Sequence, residues 1–312
     1  MLSGRHSVWA NLRFKATASA IFCPLALFLV IEREDVTARL RPSPTQGSRL
    51  PSISKNIWHI FLHKQEIKPS LRPAIHSWAE LNLDHDYHLV ETVQATDILF
   101  DLYRDRPDIV HTFQKLESTV MRADFLRYVL LARHGGVYTD VDTQALRPIN
   151  EWIPPEYNDS TRVVTGVEYD QLDDTERDVA MPHCSRSASG LSSRPRTIHC
   201  SADFYKTDVE HLRPTDKEVI TTTGPALWTA SVIKYLRGRG YHNVSYSDFS
   251  RLREPKLMDD VLILPIDAFG VGQPHSNSSE SAEGAPDALA QHLFSMSWRH
   301  GCTPGDVEPC FQ

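Results

Sequence analysis

The sequence predicts an α/β fold: one domain with a central mixed, mostly parallel sheet flanked by helices. Short apolar runs typical of buried strands alternate with longer stretches of helical periodicity, and strands separated by helices favour parallel pairing. The chain has 312 residues, of which 41% are hydrophobic and 23% are charged, which suits one large globular domain. We assign this domain to residues 53–312.

The composition limits the classes of partner. A net charge of −7 argues against nucleic acid, because a polyanion is bound through a basic surface. Five cysteines without Cys-x-x-Cys spacing are too few for a disulfide scaffold. If the substrate is itself anionic, an acidic chain of this kind would use a metal cation to hold it.

The N-terminal segment predicts attachment to a membrane. Residues 18–31 are almost wholly apolar and follow Arg13 and Lys15, and no small-x-small cleavage site comes after them. We interpret 16–31 as a signal-anchor helix, 1–15 as a cytosolic tail and 32–52, rich in Arg, Pro, Ser and Thr, as a stem. This topology is single-pass type II with a lumenal domain. A cleaved signal peptide is the alternative.

The first half of the domain alternates strands with helices. A buried strand is predicted at 57–61, followed by an amphipathic stretch around 73–81 and a second strand at 87–90. From residue 95 to residue 116 the apolar residues recur with helical spacing over one long stretch.

The strongest signals lie in the next stretch. Residues 120–134 predict a helix with one buried face, and Gly135 supplies the positive φ that ends it. Residues 137–142 then alternate as a strand, so Asp140 and Asp142 would project from the same face.

The second half predicts two more strands and one helix. The strands are expected at 163–166 and 261–265, and the helix runs from 225 to 236 after a Gly-Pro turn. Residues 272–286 form a polar loop that we expect to be mobile.

The acidic pair is the first candidate for chemistry. Alternate residues of a strand lie about 6.6 Å apart along the chain, and two carboxylates at that distance repel by roughly 2–3 kcal/mol. A divalent ion with oxygen ligands, Mn²⁺ or Mg²⁺, would relieve this repulsion and hold the phosphates of a substrate. The alternative is a solvated strand end with two acidic residues.

The preceding helix carries a second candidate group. Asp124, Arg127 and Tyr128 are spaced three and four residues apart, so they share one helix surface. The Gly-Gly turn after the helix would aim Asp124 at the cavity of the acidic pair. The alternative is an ordinary surface ion pair.

These residues resemble a known family. The chain is similar to the fungal α-1,6-mannosyltransferase-like proteins of glycosyltransferase family 32, in their sugar-binding region with a D-x-D motif. The similarity rests on the following residues: Arg122, Asp124, Arg127 and Tyr128; Gly135, Gly136, Tyr138, Asp140 and Asp142; Ile57-Trp58-His59; Thr223-Gly224-Pro225; and His292 with Ser297-Trp298.

The resemblance implies a GT-A fold, a nucleotide-sugar donor with GDP-mannose favoured, and a manganese-type cofactor. It also implies a glycan or glycolipid acceptor, retention of anomeric configuration and a place in the Golgi or ER membrane. Asp140 would contact the donor and Asp142 the metal. Asp124 would bind the donor sugar, and Arg122 or Arg127 would hold the donor.

The predicted site therefore has three overlapping groups. Gly136 would let the backbone approach the donor, and His292 and Trp298 would close over the diphosphate. The groups are catalytic Asp124, Asp140 and Asp142; donor-binding Trp58, Arg122, Asp124, Arg127, Gly136, Tyr138, Asp140 and Trp298; and metal-binding Asp140, Asp142 and His292.

Two departures from the family pattern affect the interpretation. Leu293 and Met296 stand where relatives often carry His and Gly. Residues 184–204 lack the apolar Gln-Trp-containing segment expected there and are rich in Ser and Arg. A one-base shift of the back-translated segment restores much of the pattern, so we interpret it as a frameshifted or mis-spliced stretch, which resequencing of the transcript tests.

Two alternatives stay open at this point. The same fold could use a UDP-sugar, since no residue distinguishes the two bases. The chain could also be an inactive relative that binds sugars or partners, for which 184–204 is the main argument.

Overall fold

A computed structural model describes residues 28–30, 54–63, 66–140, 142–170, 185–187, 215, 218–272 and 276–293. These residues form a mixed α/β structure. Its strands are β1 (Phe28–Val30), β2 (Asn56–Phe61), β3 (Asp86–Glu91), β4 (Gly136–Tyr138), β5 (Thr143–Ala145), β6 (Val163–Val167), β7 (Ser185–Ser187), β8 (Lys256–Met258), β9 (Val261–Leu264) and β10 (Ala290–His292). Its α-helices are α1 (Arg72–Leu81), α2 (Thr92–Leu102), α3 (Pro107–Lys115), α4 (Thr119–His134) and α5 (Pro225–Gly238).

The strands form three groups. The first sheet has the order β1-β4-β2-β3, and the second has the order β7-β6-β9-β8. In the first sheet β2 pairs parallel with both β3 and β4, and in the second the central strands β6 and β9 are parallel. Antiparallel strands form both edges of the second sheet and the β1 edge of the first, whose other edge is the parallel strand β3. β5 pairs separately with β10. The predicted mixed α/β architecture is confirmed, but its strands are divided among these groups instead of forming one central sheet.

Most elements lie where the sequence predicts them. The long helical stretch from residue 95 to 116 is two helices, because Pro107 stands at the first position of α3 and cannot continue α2. The strand predicted at 137–142 is wrong in length. β4 ends at Tyr138, and only Thr139 extends the pairing, through an N–H that donates to the carbonyl of Trp58 at 3.0 Å. Asp140 and Asp142 therefore follow the strand.

Helix α4 lies at the centre of the main core. The Ser118 hydroxyl caps its first turn by accepting the Met121 N–H, and Gly135 ends it with a φ of 69°, as predicted. Its apolar residues pack with α2, α3, α5 and the strands β6 and β9. Unlike the predicted one-sided helix, α4 also buries Asp124 and Arg127.

Strand β2 separates two apolar clusters. Trp58 and Ile60 belong to the main core with α4, whereas Ile57 packs with Val137 and Trp78 on the opposite side. Both faces of β2 are covered, which accounts for its nearly continuous apolar sequence.

Several predictions on the flanking segments fall outside the described residues. Of the predicted anchor at 16–31, only Phe28–Val30 is described, as a strand paired antiparallel with β4. The anchor, the cytosolic tail and the stem therefore stay predictions. Within the described ranges, every helix is too short or too polar to span a bilayer.

Two other predicted segments are partly described. Of residues 184–204, Ser185–Ser187 form an edge strand on β6. In the loop at 272–286, Ser276 is buried, and Ser279 donates through its N–H and its hydroxyl to Asp267 at 2.6 and 2.7 Å. The mobility of this loop stays a prediction.

Gly136 allows β4 to lie against β2. Its φ is 104°, and a Cβ at this position would be 2.3 Å from the carbonyl oxygen of Asn56. Both the backbone conformation and the neighbouring strand exclude a side chain. The glycine is therefore needed at the point where the chain turns from α4 into the strand that leads to the acidic residues.

We predict that Gly136→Ala lowers the free energy of unfolding by at least about 2 kcal/mol, from the positive φ and the contact with Asn56. Gly238→Ala is the matched control, since nothing lies within 4 Å of the added Cβ at that helical position. It is expected to be neutral or stabilising by about 0.5 kcal/mol. Denaturant unfolding measures the free energy of unfolding of both variants. Equal values for Gly136→Ala and Gly238→Ala would contradict the structural requirement for glycine at position 136.

Candidate active site

The two acidic residues lie in a turn, which we call the acidic turn, between β4 and β5. Asp140 follows the end of β4 by two residues, and Asp142 directly precedes β5. The turn leaves the first sheet at the carboxyl end of β4, next to the parallel strand β2. Ligand sites of α/β proteins lie at such strand ends. The turn is thus a suitable position for a ligand site.

Asp140 is held from the side of the main core. The Tyr138 hydroxyl donates a hydrogen bond to Oδ1 of Asp140 at 2.8 Å. An Nη2 atom of Arg127 lies 3.6 Å from the same oxygen. Arg127 is a cation that reduces the repulsion between the two acidic residues at the Asp140 side. The protein itself therefore supplies positive charge at the turn.

Arg127 is itself held by a buried ion pair on α4. Its guanidinium donates to Oδ1 of Asp124, and it lies 4.8 Å above the Tyr138 ring. Burial alone would lower the pKa of Arg127, but the negative charges of Asp124 and Asp140 raise it above its usual value. Arg127 is therefore a permanent cation inside the protein. The predicted proximity of Asp124 and Arg127 is confirmed, but the pair is buried instead of lying on the surface.

The second carboxylate oxygen of Asp124 accepts a hydrogen bond from Thr223. The Thr223 hydroxyl is 2.8 Å from Oδ2 of Asp124, and the Thr223 carbonyl accepts the Tyr128 hydroxyl at 2.8 Å. The Tyr128 ring stacks on Trp228 of α5 with a centroid distance of 6.2 Å. These contacts join α4 to the segment before α5. Thr223 is absent from the predicted site residues, and the Thr-Gly-Pro turn was the signal for it.

His292 lies on the other side of the turn. In the antiparallel pair of β5 and β10, His292 is opposite Thr143, the residue after Asp142. Nε2 of His292 is 3.7 Å from Oδ1 of Asp142, and the Leu293 N–H donates to the Asp142 carbonyl. The structure thus brings together two predicted metal ligands that are 150 positions apart in the chain.

Other predicted site residues lie elsewhere. Arg122 donates to the Gln114 carbonyl at 3.1 Å and lies over Phe113, so its guanidinium contacts α3 and not the acidic turn. Trp58 is 1% exposed, and its indole N–H donates to the Gly135 carbonyl at 2.8 Å while the ring stacks on His88. The structure thus gives Trp58 a place in the core.

Gly136 and Tyr138 also have roles inside the protein. The close approach at Gly136 is to the backbone of Asn56, and Tyr138 is 1% exposed with its hydroxyl on Asp140. Burial is the main cause that raises the pKa of Tyr138 well above its usual value, so Tyr138 is a neutral donor. Trp298 lies outside the described residues.

In the described part of the chain, Asp142 and His292 are the pair of side chains at the turn that could bind one metal ion together. No group of three or more His, Cys, Asp or Glu residues suited to an ion is found there. Asp142 and His292 supply one oxygen and one nitrogen. Beyond the described residues, further ligands would come from the rest of the chain, a bound substrate or water, and open positions of this kind are usual for catalytic sites.

Comparison with known proteins places this geometry in context. Residues 69–159, which include the acidic turn and α4, match the family described as glycosyltransferase sugar-binding region containing DXD motif. The initiation-specific alpha-1,6-mannosyltransferase of Schizosaccharomyces pombe is 27% identical over 282 residues, which cover 86% of this chain and 70% of that protein.

Two further relatives agree with this match. The initiation-specific alpha-1,6-mannosyltransferase of Candida albicans is 26% identical over 285 residues, covering 80% of this chain and 73% of that protein. The putative glycosyltransferase HOC1 of Saccharomyces cerevisiae is 27% identical over 210 residues, covering 62% and 52%. The resemblance inferred from the sequence is confirmed.

Among solved structures, the PaToxG glycosyltransferase is similar at 15% identity and a TM-score of 0.39, over 61% of this chain and 75% of that chain. This similarity is too low to add to the argument.

We predict that Asp124→Ala lowers the free energy of unfolding by about 3 kcal/mol or more, because it leaves Arg127 buried with a weaker partner. Asp101→Ala is the matched control. Asp101 pairs with Arg104 in the same i,i+3 geometry, but those side chains are 32% and 75% exposed, against 6% and 9% for Asp124 and Arg127. The control is expected to cost less than about 1 kcal/mol in thermal or denaturant unfolding.

Proposed function

We propose that this chain, a glycosyltransferase related to the initiation-specific alpha-1,6-mannosyltransferases, transfers mannose from GDP-mannose to a hydroxyl of a glycan or glycolipid. The observation that carries the proposal is the acidic turn, held by Arg127 on one side and by His292 on the other, inside the region that matches the sugar-binding family. The related proteins are named as mannosyltransferases, which favours mannose as the sugar. The proposed fold is of the GT-A type.

Asp142 and His292 fit one divalent ion as two of its ligands. Ligands that each lie about 2.1 Å from an ion are at most about 4.2 Å apart, and the Asp142 oxygen and His292 nitrogen are 3.7 Å apart. Carboxylate oxygens suit Mg²⁺ and Mn²⁺, whereas an imidazole nitrogen favours the transition metal, so the pair favours Mn²⁺. When bound, this ion would supply positive charge against the charge that develops on the leaving diphosphate.

Asp140 is the residue of the buried cluster that we assign to the donor sugar. Its side chain is 19% exposed, whereas Asp124 and Arg127 are 6% and 9% exposed. Asp124 has both oxygens engaged, with Arg127 and Thr223. We therefore assign Asp124 and Arg127 to holding Asp140 in position, and Asp140 to accepting hydrogen bonds from donor hydroxyls. A cluster oriented before the donor arrives needs no rearrangement when it binds.

The reaction is proposed to retain the anomeric configuration, as the family relationship implies. No side chain is then required to remove a proton from a water or acceptor on the face opposite the donor. The enzyme is proposed to act in the lumen of the Golgi or ER, with residues 16–31 as its anchor.

We predict that Asp142→Asn reduces metal-dependent turnover of GDP-mannose at least about a hundredfold, because it removes a charged ligand of the ion. His292→Ala is expected to raise the Mn²⁺ concentration required for half-maximal activity. Asp287→Asn is the control, since Asp287 is fully exposed in the loop before β10. Turnover is measured with purified protein at several Mn²⁺ concentrations, and an active Asp142→Asn variant would exclude this role.

A donor panel tests the nucleotide and the sugar. GDP-mannose is expected to be hydrolysed or transferred faster than GDP-fucose, UDP-glucose and UDP-galactose, with Mn²⁺ supporting higher rates than Mg²⁺. Preference for a UDP-sugar would replace the donor but keep the enzyme class. Binding of donors without turnover of any of them would identify an inactive relative.

A further inference from the structure

A buried polar group on the opposite face of β2 from the main core takes no part in the contacts described so far. His59 is 0% exposed, and neither ring nitrogen has a hydrogen-bond partner among the described residues. Its ring lies 5.0 Å from that of Tyr87. Burial lowers the pKa of His59 to about 3, so the imidazole is neutral and has one donor and one acceptor nitrogen. Leaving both unsatisfied in the interior is costly.

A buried hydroxyl lies beside this imidazole. Trp58 is paired with Tyr138 between β2 and β4, and the Thr139 N–H donates to the Trp58 carbonyl, so the next residues, His59 and Thr139, are neighbours across the two strands. Thr139 is 0% exposed, and in the described ranges its hydroxyl also has no hydrogen-bond partner.

His59 and Thr139 face the same side of the sheet. Alternate residues of a strand share a face. His59 is two residues after Ile57, Thr139 is two residues after Val137, and both apolar residues belong to the cluster with Trp78. Thr143, two residues before Ala145 of that cluster, is 2% exposed, and its hydroxyl likewise has no partner in the part of the chain that is described.

The position of these residues relates them to the active site. Thr139 directly precedes Asp140, and Thr143 directly follows Asp142. The two hydroxyls therefore bracket the acidic turn at both of its ends. Buried polar groups that lie on the same side of a sheet and have no direct hydrogen-bond partner are commonly joined by a bound water.

We propose that His59 is a positioning residue for the acidic turn, acting through a buried water that bridges its ring to the Thr139 hydroxyl. The Thr143 hydroxyl would hold the end of the turn that follows Asp142, also through a buried water. The proposal rests on the proposed function, because its consequence is a fixed position of the acidic turn as a whole, which carries Asp140 toward the donor sugar and Asp142 toward the metal. Groups that orient metal ligands without touching the ion typically change metal affinity 10- to 100-fold when they are removed, on the order of magnitude seen in other metal sites.

The test measures Mn²⁺ affinity without requiring catalysis. The melting temperature of the full chain is recorded with saturating GDP at increasing Mn²⁺ concentrations, since a ligand that binds the folded state raises the melting temperature. His59→Leu and Thr139→Val are expected to require about tenfold more Mn²⁺ for half of the maximal shift. His59→Gln keeps a donor and an acceptor and is expected to lie close to the wild type.

Thr161→Val is the matched control. Thr161 is also buried, with a hydroxyl that has no partner among the described residues, but it precedes β6 and lies outside the acidic turn. The control is expected to leave the Mn²⁺ dependence unchanged. Equal effects of Thr139→Val and Thr161→Val would overturn the proposal, as would a wild-type Mn²⁺ dependence in His59→Leu. If His59→Leu does not fold, the comparison of Thr139→Val with Thr161→Val and the Mn²⁺ dependence of His59→Gln test the proposal instead.

A high-resolution crystal structure gives an independent answer. The expected result is an ordered water within hydrogen-bonding distance of a His59 ring nitrogen and of the Thr139 hydroxyl. A dry contact between the two side chains would overturn the proposal. If wild-type protein shows no response to GDP with Mn²⁺, the proposed function fails, and the crystallographic result then decides the inference alone.

Discussion

The buried ion pair between Arg127 and Asp124 is the interaction on which the arrangement of the site depends. A guanidinium inside the protein is tolerated only with partners that compensate its lost hydration. Asp124 supplies the main partner, Tyr138 lies beneath the cation, and Asp140 is the next acid within reach. The charge that orients Asp140 is thus built into the central helix of the core, and Thr223 extends this network to the segment before α5.

The two carboxylates of the acidic turn are held by different elements of the structure. Asp140 contacts Arg127 of α4 and accepts a hydrogen bond from the Tyr138 hydroxyl. Asp142 belongs to the side of β10, where strand pairing places His292 beside it. Under the proposed function, this division separates the residue that orients the sugar from the residue that binds the cation. It also places a different neighbouring side chain beside each of the two acidic residues, Arg127 at Asp140 and His292 at Asp142.

Gly136 and the neighbouring strand β2 determine where the acidic turn starts. The positive φ at this residue and its contact with Asn56 let β4 lie against β2, with Val137 and Tyr138 in register with Ile57 and Trp58, before the chain leaves the sheet. The same pairing positions His59 beside Thr139. The pairing of β4 with β2 therefore determines both the start of the turn and the position of His59 and Thr139.

The sequence by itself determined the mixed α/β class, the positions of most strands and helices, the end of α4 at Gly135 and the D-x-D pair, because these follow from local periodicity, glycine conformation and motif spacing. It predicted too long a strand before Asp142. It placed Arg122 with the donor-binding residues, which stays a prediction, and the structure places this side chain against α3. Only the tertiary structure decided that Asp124 and Arg127 are buried, that Thr223 joins them and that His292 meets Asp142. These contacts join residues 95 or more positions apart in the chain or depend on which helix face is covered, and local patterns carry no information on either.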